Sequence, residues 1–218
     1  DVSFNYTEYD PVHLDRVINK FDNALRYVDT QVGAFIEYLK SIDRYESSLI
    51  VLTSDHGEAF YKHGLPTHGT SLFEDQVRTA TLFKLPYGGA SEVRNDPISL
   101  IDLNPTVLEI LGLPNHPNFQ GRQILAEPRN SPIYMMSHSL VKSHGLVDYP
   151  WKYFTSDRDG EQLLNLEIDP DESADLSADY PDMLDVMKNK LQIYQLRQLY
   201  YYNVLPQRER DLSYPPRH

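Results

Sequence analysis

The chain has 218 residues, of which 40% are hydrophobic and 24% are charged, a composition typical of a globular protein large enough to bury a core. Its formal net charge is −12 and no stripe of basic residues appears, which argues against a nucleic-acid-binding protein. The absence of cysteine excludes disulfides, thiol nucleophiles and thiolate metal ligands. No apolar run reaches the ~18–20 residues of a membrane span, so no membrane segment is predicted in this chain.

The first predicted element is a long helix that begins at Asp10 and Pro11. Aspartate before proline is typical of a helix N-terminus, because the carboxylate caps a backbone N–H and proline fits the first helical position. Hydrophobic residues then recur every three or four positions from Leu14 to Leu39, which predicts one apolar stripe over about seven turns. We expect this stripe to cover a sheet.

A buried strand and a polar pair of residues follow the helix. The aliphatic run Leu49–Leu52 predicts the strand, and Asp55 and His56, the Asp-His pair, come just after its carboxyl end. In open α/β sheets, ligands bind beyond the carboxyl ends of the strands. A carboxylate beside an imidazole at that point is suited to hold a divalent cation.

The segment after the Asp-His pair is interrupted by glycine and proline, which predicts a loop that can wrap over a site. His68 in this loop is a candidate catalytic residue, because a histidine can protonate a leaving alkoxide or donate a hydrogen bond to an ester oxygen. Lys62 and His63 are candidate substrate-binding residues. The alternatives are a solvated lysine and histidines that only anchor the loop. Glu58 is expected to support the loop, with a hydrogen bond to His56 as a further option.

The rest of the chain predicts short elements followed by an irregular tail. The sequence Asp157–Gly160 indicates a tight turn between two strands, and the charged, proline-containing tail from Leu205 is predicted to be irregular. The predicted elements are strands at Thr79–Leu85, Ile133–Ser137, Trp151–Thr155 and Glu161–Leu166, and helices at Leu100–Gly112 and from Pro181 to about Tyr200.

The segments around the Asp-His pair and His68 match a known pattern. They read Thr-Ser-Asp-His-Gly-Glu at 53–58, Lys-His-Gly at 62–64 and Thr-His-Gly-Thr-Ser-Leu-Phe-Glu-Asp-Gln-Val-Arg at 67–78. Together they resemble the C-terminal signature of the sulfatase family, which belongs to the alkaline-phosphatase-like superfamily. Trp-Lys-Tyr-Phe at 151–154 and Asp-Pro-Asp-Glu at 169–172 resemble the C-terminal subdomain of the same family.

The resemblance implies an α/β fold with a mostly parallel sheet flanked by helices, followed by a small C-terminal antiparallel sheet plus helix. Residues 1–127 would form the C-terminal part of the sulfatase-like catalytic domain, and residues 128–218 a small C-terminal subdomain and tail. By the same resemblance the protein acts outside the cytoplasm, in the periplasm or as a secreted protein.

The resemblance also implies a function and roles for the site residues. Asp55 and His56 would be metal ligands and His68 the acid or oxyanion partner. The cation would be divalent, with calcium preferred and manganese, magnesium or zinc as alternatives because an imidazole is one ligand. The nucleophile, in a Cys/Ser-x-Pro-x-Arg motif, and the remaining metal ligands would come from an absent N-terminal half. We therefore expect the C-terminal portion of a metal-dependent hydrolase of sulfate esters, inactive by itself.

Two other functions stay open at this stage. A phosphoryl-transfer enzyme of the same superfamily, such as a phosphoethanolamine or phosphoglycerol transferase or a phosphodiesterase, would also place Asp-His-Gly before a histidine loop. Such enzymes do not usually carry the segments at 151–154 and 169–172, which favours a sulfatase. The other alternative is a non-catalytic relative that keeps the fold and binds a ligand or partner.

Overall fold

A computed structural model of the chain describes residues 9–88, 91–125 and 128–204. The predicted irregular tail from Leu205 lies outside the described residues. The helices and strands are α1 (Leu14–Ser41), β1 (Ile50–Thr53), α2 (Glu74–Val77), β2 (Thr81–Lys84), α3 (Leu103–Ile110), β3 (Ile133–His138), β4 (Lys142–Asp148), β5 (Trp151–Ser156), β6 (Gly160–Asn165) and α4 (Pro181–Leu199). No helix within these ranges is long and apolar enough to cross a membrane.

The described residues form two compact units. The first unit takes its residues from 1–68 and 73–93 and contains α1, β1, α2 and β2. The second takes its residues from 69–72 and 94–218 and contains α3, the strands β3 to β6 and α4. The domain boundary expected between residues 127 and 128 stays a prediction.

The long helix of the first unit is confirmed, including its start. A 3-10 turn at Pro11–His13 leads into α1, and the backbone N–H of Val12 donates to Asp10 Oδ1 at 2.9 Å. The apolar stripe of this helix is only partly covered. Val17 is buried, whereas Leu25 and Phe35 remain 52% and 57% exposed. Several exposed apolar residues on one face of a helix normally mark a surface that another element covers.

The strand predicted at 49–52 is observed as β1, and the strand predicted at 79–85 is observed as β2. The two strands pair antiparallel, with Thr53 opposite Thr81 and their hydroxyl oxygens 3.0 Å apart. A mostly parallel sheet is therefore not confirmed, since both sheets within the described ranges are antiparallel. Two short strands cannot bury an apolar face by themselves, and Leu52 and Leu82 stay exposed.

The second unit contains the predicted small antiparallel sheet and its helix. The strands lie in the order β3-β4-β5-β6, and α4 packs on one face of the sheet. The core between them consists of Leu146, Tyr153, Leu163, Met187 and Leu191. The turn predicted at 157–160 is confirmed, because Ser156 pairs with Gly160 across the β5–β6 hairpin.

The two segments that resemble the C-terminal subdomain of sulfatases, at 151–154 and 169–172, contact each other inside the second unit. Lys152 of β5 and Glu172 of the following loop are both fully buried, with Nζ and Oε1 2.7 Å apart. A charged side chain is buried at a high free-energy cost unless it is paired. The pair therefore holds the Asp-Pro-Asp-Glu loop against the strand that carries Trp-Lys-Tyr-Phe.

A second buried carboxylate, Asp102, organises the start of α3. Its side chain accepts hydrogen bonds from the backbone N–H groups of Ser99 and Arg122, each at 2.9 Å, and forms an ion pair with Arg129. The side chains of Asp102 and Arg129 are only 1% and 3% exposed. One carboxylate thus joins the helix to the segment at 121–129.

We expect Asp102→Ala to lower the free energy of unfolding by roughly 3–5 kcal/mol, because it leaves the buried guanidinium of Arg129 without its partner. Urea denaturation followed by circular dichroism measures this change. The exposed Asp29→Ala in α1 serves as the matched control and should change the free energy of unfolding by no more than about 0.5 kcal/mol. Equal unfolding midpoints for the two variants would contradict the role assigned to Asp102.

Candidate functional site

The Asp-His pair lies where β1 ends, as predicted. Ser54, the residue after β1, donates its backbone N–H to the carbonyl oxygen of Ala80, the residue before β2. Asp55 and His56 follow, and their side chains are 87% and 43% exposed. Asp55 Oδ2 and His56 Nε2 are 3.6 Å apart. The two side chains therefore lie side by side and are open to solvent.

The ring of His56 is held in one orientation by its own backbone. Its Nδ1 lies 2.8 Å from the carbonyl oxygen of Gly57. Because a carbonyl oxygen only accepts, Nδ1 carries the hydrogen and the neutral ring keeps its lone pair on Nε2. That lone pair is on the side of Asp55, at a separation that suits two ligands each roughly 2.0–2.4 Å from one shared cation.

Gly57 allows the loop to approach α2 closely. Its backbone N–H donates to the carbonyl oxygen of Gln76 at 2.9 Å, and a Cβ atom added at Gly57 would lie 2.2 Å from the carbonyl oxygen of Asp75. Any side chain at this position would therefore push the loop away from the helix. The close approach that Gly57 allows therefore helps to place its two neighbours, His56 and Glu58.

His68 lies next to the Asp-His pair and is oriented by a carboxylate. Its Nδ1 is 2.9 Å from Glu58 Oε2, and the side chain of Glu58 is only 18% exposed. The ring of His68 lies against that of His56, with a centroid distance of 4.0 Å and an interplanar angle of 30°. The fold thus brings Asp55, His56 and His68 together. Glu58 contacts His68 rather than His56, a partner that sequence reasoning missed because it joins two ends of a loop.

His63 occupies a more enclosed position than His68. Its Nδ1 is 2.9 Å from Asp75 Oδ2, both side chains are largely buried, and its ring stacks on Phe73 at a centroid distance of 3.8 Å. In this position His63 anchors the loop, and its role in substrate binding stays a prediction. Lys62 beside it is exposed, and its role likewise stays a prediction.

The described residues contain no complete metal site. In residues 9–88, 91–125 and 128–204, no group of three or more His, Asp or Glu side chains is arranged to hold a metal ion. The Asp-His pair therefore offers two ligands, one oxygen and one nitrogen, and a complete site needs further donors. The chemistry of these two donors fits a divalent cation.

A run with the spacing of the family's nucleophile motif occurs near the end of the sequence. Residues 213–217 read Ser-Tyr-Pro-Pro-Arg, which has the spacing of Ser-x-Pro-x-Arg. This run lies outside the described residues. A search for the short motif alone would have found it, whereas the resemblance directed attention to an upstream nucleophile.

Comparison with known proteins identifies the family of this chain. The sequence profile of the sulfatase family matches residues 2–113, more than half of the 218 residues. The chain belongs to the sulfatase family. The matched region contains α1, β1, the Asp-His pair and His68, so the resemblance drawn from the motifs is confirmed.

The relatives with known names or structures agree with this assignment. Arylsulfatase K from Canis lupus familiaris is 27% identical over 185 residues, which cover 75% of this chain and 34% of that protein. The solved structure of BT1596, a 2-O GAG sulfatase, superposes with a TM-score of 0.73 at 18% identity, covering 92% of this chain and 47% of the other. The phosphonate monoester hydrolase of Agrobacterium radiobacter has a TM-score of 0.63 at 24% identity, covering 76% and 38%.

These comparisons also show how much of its relatives' length the chain covers. It spans about a third of the length of the arylsulfatase K proteins that it matches. The structural likenesses extend to both described units and support a mixed helix and sheet fold of the sulfatase type.

We expect Glu58→Ala to change which nitrogen of His68 carries the hydrogen, because the variant removes the acceptor that holds the hydrogen on Nδ1. Long-range ¹⁵N–¹H NMR of the neutral imidazole reports the tautomer directly. His63 provides an internal control, since its acceptor is Asp75 and its spectrum should not change in Glu58→Ala. Asp75→Ala should give the reverse pattern. An unchanged His68 tautomer in Glu58→Ala would show that this contact does not orient the ring.

Proposed function

We propose that this chain is the C-terminal portion of a metal-dependent, sulfatase-like hydrolase that cleaves sulfate esters. The observation that carries the proposal is the assembly of Asp55, His56 and His68 at the end of β1, in a chain of the sulfatase family. The nucleophile and the remaining metal ligands would be supplied by an N-terminal half of the same protein.

The Asp-His pair would hold the cation through Asp55 Oδ2 and His56 Nε2. Calcium is the first candidate, with manganese, magnesium and zinc as alternatives. When bound, such a cation neutralises the non-bridging oxygens of the ester and activates the nucleophile. The contact between His56 Nδ1 and the Gly57 carbonyl supports this role, because it keeps the Nε2 lone pair available.

His68 would act on the leaving group. With Nδ1 donating to Glu58, the ring in its protonated form also carries a hydrogen on Nε2, which it would transfer to the ester oxygen that leaves as an alkoxide. A donor fixed before the reaction stabilises developing negative charge without having to reorganise. Glu58 is a positioning residue in this scheme, since it acts only through His68.

The need for an N-terminal half is supported by the exposed apolar surface of the first unit. The stripe on α1 is only partly covered, and Leu52 of β1 and Leu82 of β2 are exposed. Strands that pair beside β1 would create the mostly parallel sheet expected for the fold and would bury this surface. In this arrangement residues 1–127 belong to the catalytic domain and residues 128–218 form the C-terminal subdomain. The family also suggests that the protein acts outside the cytoplasm.

A sulfated sugar is the substrate class to test first, because BT1596 is described as a 2-O GAG sulfatase. The second candidate is a phosphoryl-type ester. It is favoured by the fold shared with the phosphonate monoester hydrolase and by a histidine at position 68, which handles either ester. A non-catalytic binding protein is the third candidate, and it would hydrolyse neither the sulfate ester nor the phosphoryl-type ester.

The protein extended upstream of Asp1 should hydrolyse an aryl sulfate faster than a phosphodiester. His68→Ala should lower kcat by about 10²–10⁴-fold, the usual contribution of a general acid. His116→Ala, which removes an exposed histidine outside the site, is the control and should leave kcat unchanged. Equal rates for His68→Ala and wild type would remove His68 from the mechanism, and a faster phosphodiester reaction would favour the second candidate.

The same extended protein should contain about one divalent cation per chain. Asp55→Ala and His56→Ala should each lower the metal content measured by elemental analysis, because each removes one ligand. The 218-residue chain alone should show no turnover. Turnover by this chain that is lost in Ser213→Ala would contradict the need for an upstream nucleophile.

A further inference from the structure

A second pair of imidazoles lies in the second unit, on the sheet formed by β3 and β4. His138 is paired with Lys142 and His144 with Met136, so the two histidines are diagonal neighbours on the same face. Their Nε2 atoms are 3.1 Å apart, with the ring planes at 77° to each other. We call His138 and His144 the histidine pair.

We propose that the histidine pair binds one first-row transition-metal dication, of the type of Zn²⁺, Ni²⁺ or Cu²⁺, without any contribution from Asp55 or His56. Metal–imidazole bonds are about 2.0–2.1 Å long, so two nitrogens bound to one ion at tetrahedral or right angles are roughly 2.9–3.4 Å apart. The distance of 3.1 Å between the two Nε2 atoms falls in that range. Both rings must then carry their hydrogen on Nδ1, which leaves both Nε2 lone pairs available to the ion.

Without a metal, the same geometry is a hydrogen bond in which one Nε2–H donates to the other ring. This state requires at least one neutral ring, since two protonated rings would bring two donors face to face. Burial lowers the pKa of His144, and the neighbouring His138 lowers it further, while Asp157 acts in the opposite direction. Neutral imidazole is the form that binds metals, so the ring is ready to bind near neutral pH.

The position of the pair supports binding from solvent. Both residues are in a hydrogen-bonded ladder, which fixes their Cα atoms more firmly than a loop would. His138 is exposed and His144 is half-buried, so water or another ligand can complete the coordination of the ion. Asp157 contributes a favourable negative charge near His144, and Lys142, opposite His138 in the ladder, contributes an opposing positive charge.

The donor types determine which ion is selected. Imidazole nitrogens favour Cu²⁺, Ni²⁺ and Zn²⁺, whereas Ca²⁺ and Mg²⁺ prefer oxygen ligands. The histidine pair should therefore not bind calcium measurably, whereas the Asp-His pair could bind it. This difference lets the two sites be measured separately.

The test uses the 218-residue chain carrying Asp55→Ala and His56→Ala, so that the Asp-His pair contributes nothing. Calorimetric titration with Zn²⁺ alone should find one ion per chain. Adding His138→Ala or His144→Ala to this background should weaken Zn²⁺ binding by about tenfold or more, because each removes one of two ligands. Adding His116→Ala, the matched control, should leave the affinity unchanged, and excess Ca²⁺ should not displace Zn²⁺.

Electron paramagnetic resonance of bound Cu²⁺ counts the ligands independently. The background chain should show coupling to two imidazole nitrogens, and each added histidine variant to one. Circular dichroism checks that the variants are folded. If the half-buried His144→Ala fails to fold, the exposed His138→Ala still tests the proposal. Zn²⁺ affinity that stays within about twofold in either variant, or an equal loss in His116→Ala, would overturn the proposal. Failure of the sulfatase mechanism would not affect this result, since the background lacks its metal ligands.

Discussion

The candidate site depends on one close backbone contact, between Gly57 and α2. The amide of Gly57 donates to Gln76, and there is no space for a side chain because the carbonyl oxygen of Asp75 occupies it. This contact fixes the chain between the Asp-His pair on one side and Glu58 on the other. His56 is therefore held by the carbonyl of Gly57 itself and His68 by the next residue, so that two imidazoles from distant parts of a loop stack on each other.

Much of the fold could be predicted from local patterns in the sequence. The capped start of α1, the aliphatic strand before Asp55 and the turn at 157–160 each depend on residues close together in the chain, and each is confirmed. The strand β4 was missed because its first half, with Ser143, His144 and Gly145, lacks the β-branched residues that indicate a strand. Gly145 is required there because a side chain would collide with Phe154 and with the carbonyl oxygen of Tyr153 on β5.

The sequence was enough to predict where Asp55 and His56 lie, but not which contacts support the candidate site. Asp55 and His56 are adjacent in the chain, so the position of one strand end was enough to place both. The partners of His68 and His63 are carboxylates ten and twelve residues away, and no helical or strand period connects them. Only the path of the loop decides that Glu58 pairs with one histidine and Asp75 with the other. The mostly parallel sheet could not be confirmed for a related reason, because the described strands pair only with each other.

The exposed residues on the apolar stripe of α1 have a consequence for the behaviour of the 218-residue chain in solution. Two molecules can lower their free energy by laying these stripes against each other, since apolar area is then removed from water. Concentrated samples would therefore favour self-association, and salting-out anions such as sulfate would strengthen it. A buffer rich in sulfate would therefore promote precipitation of this chain.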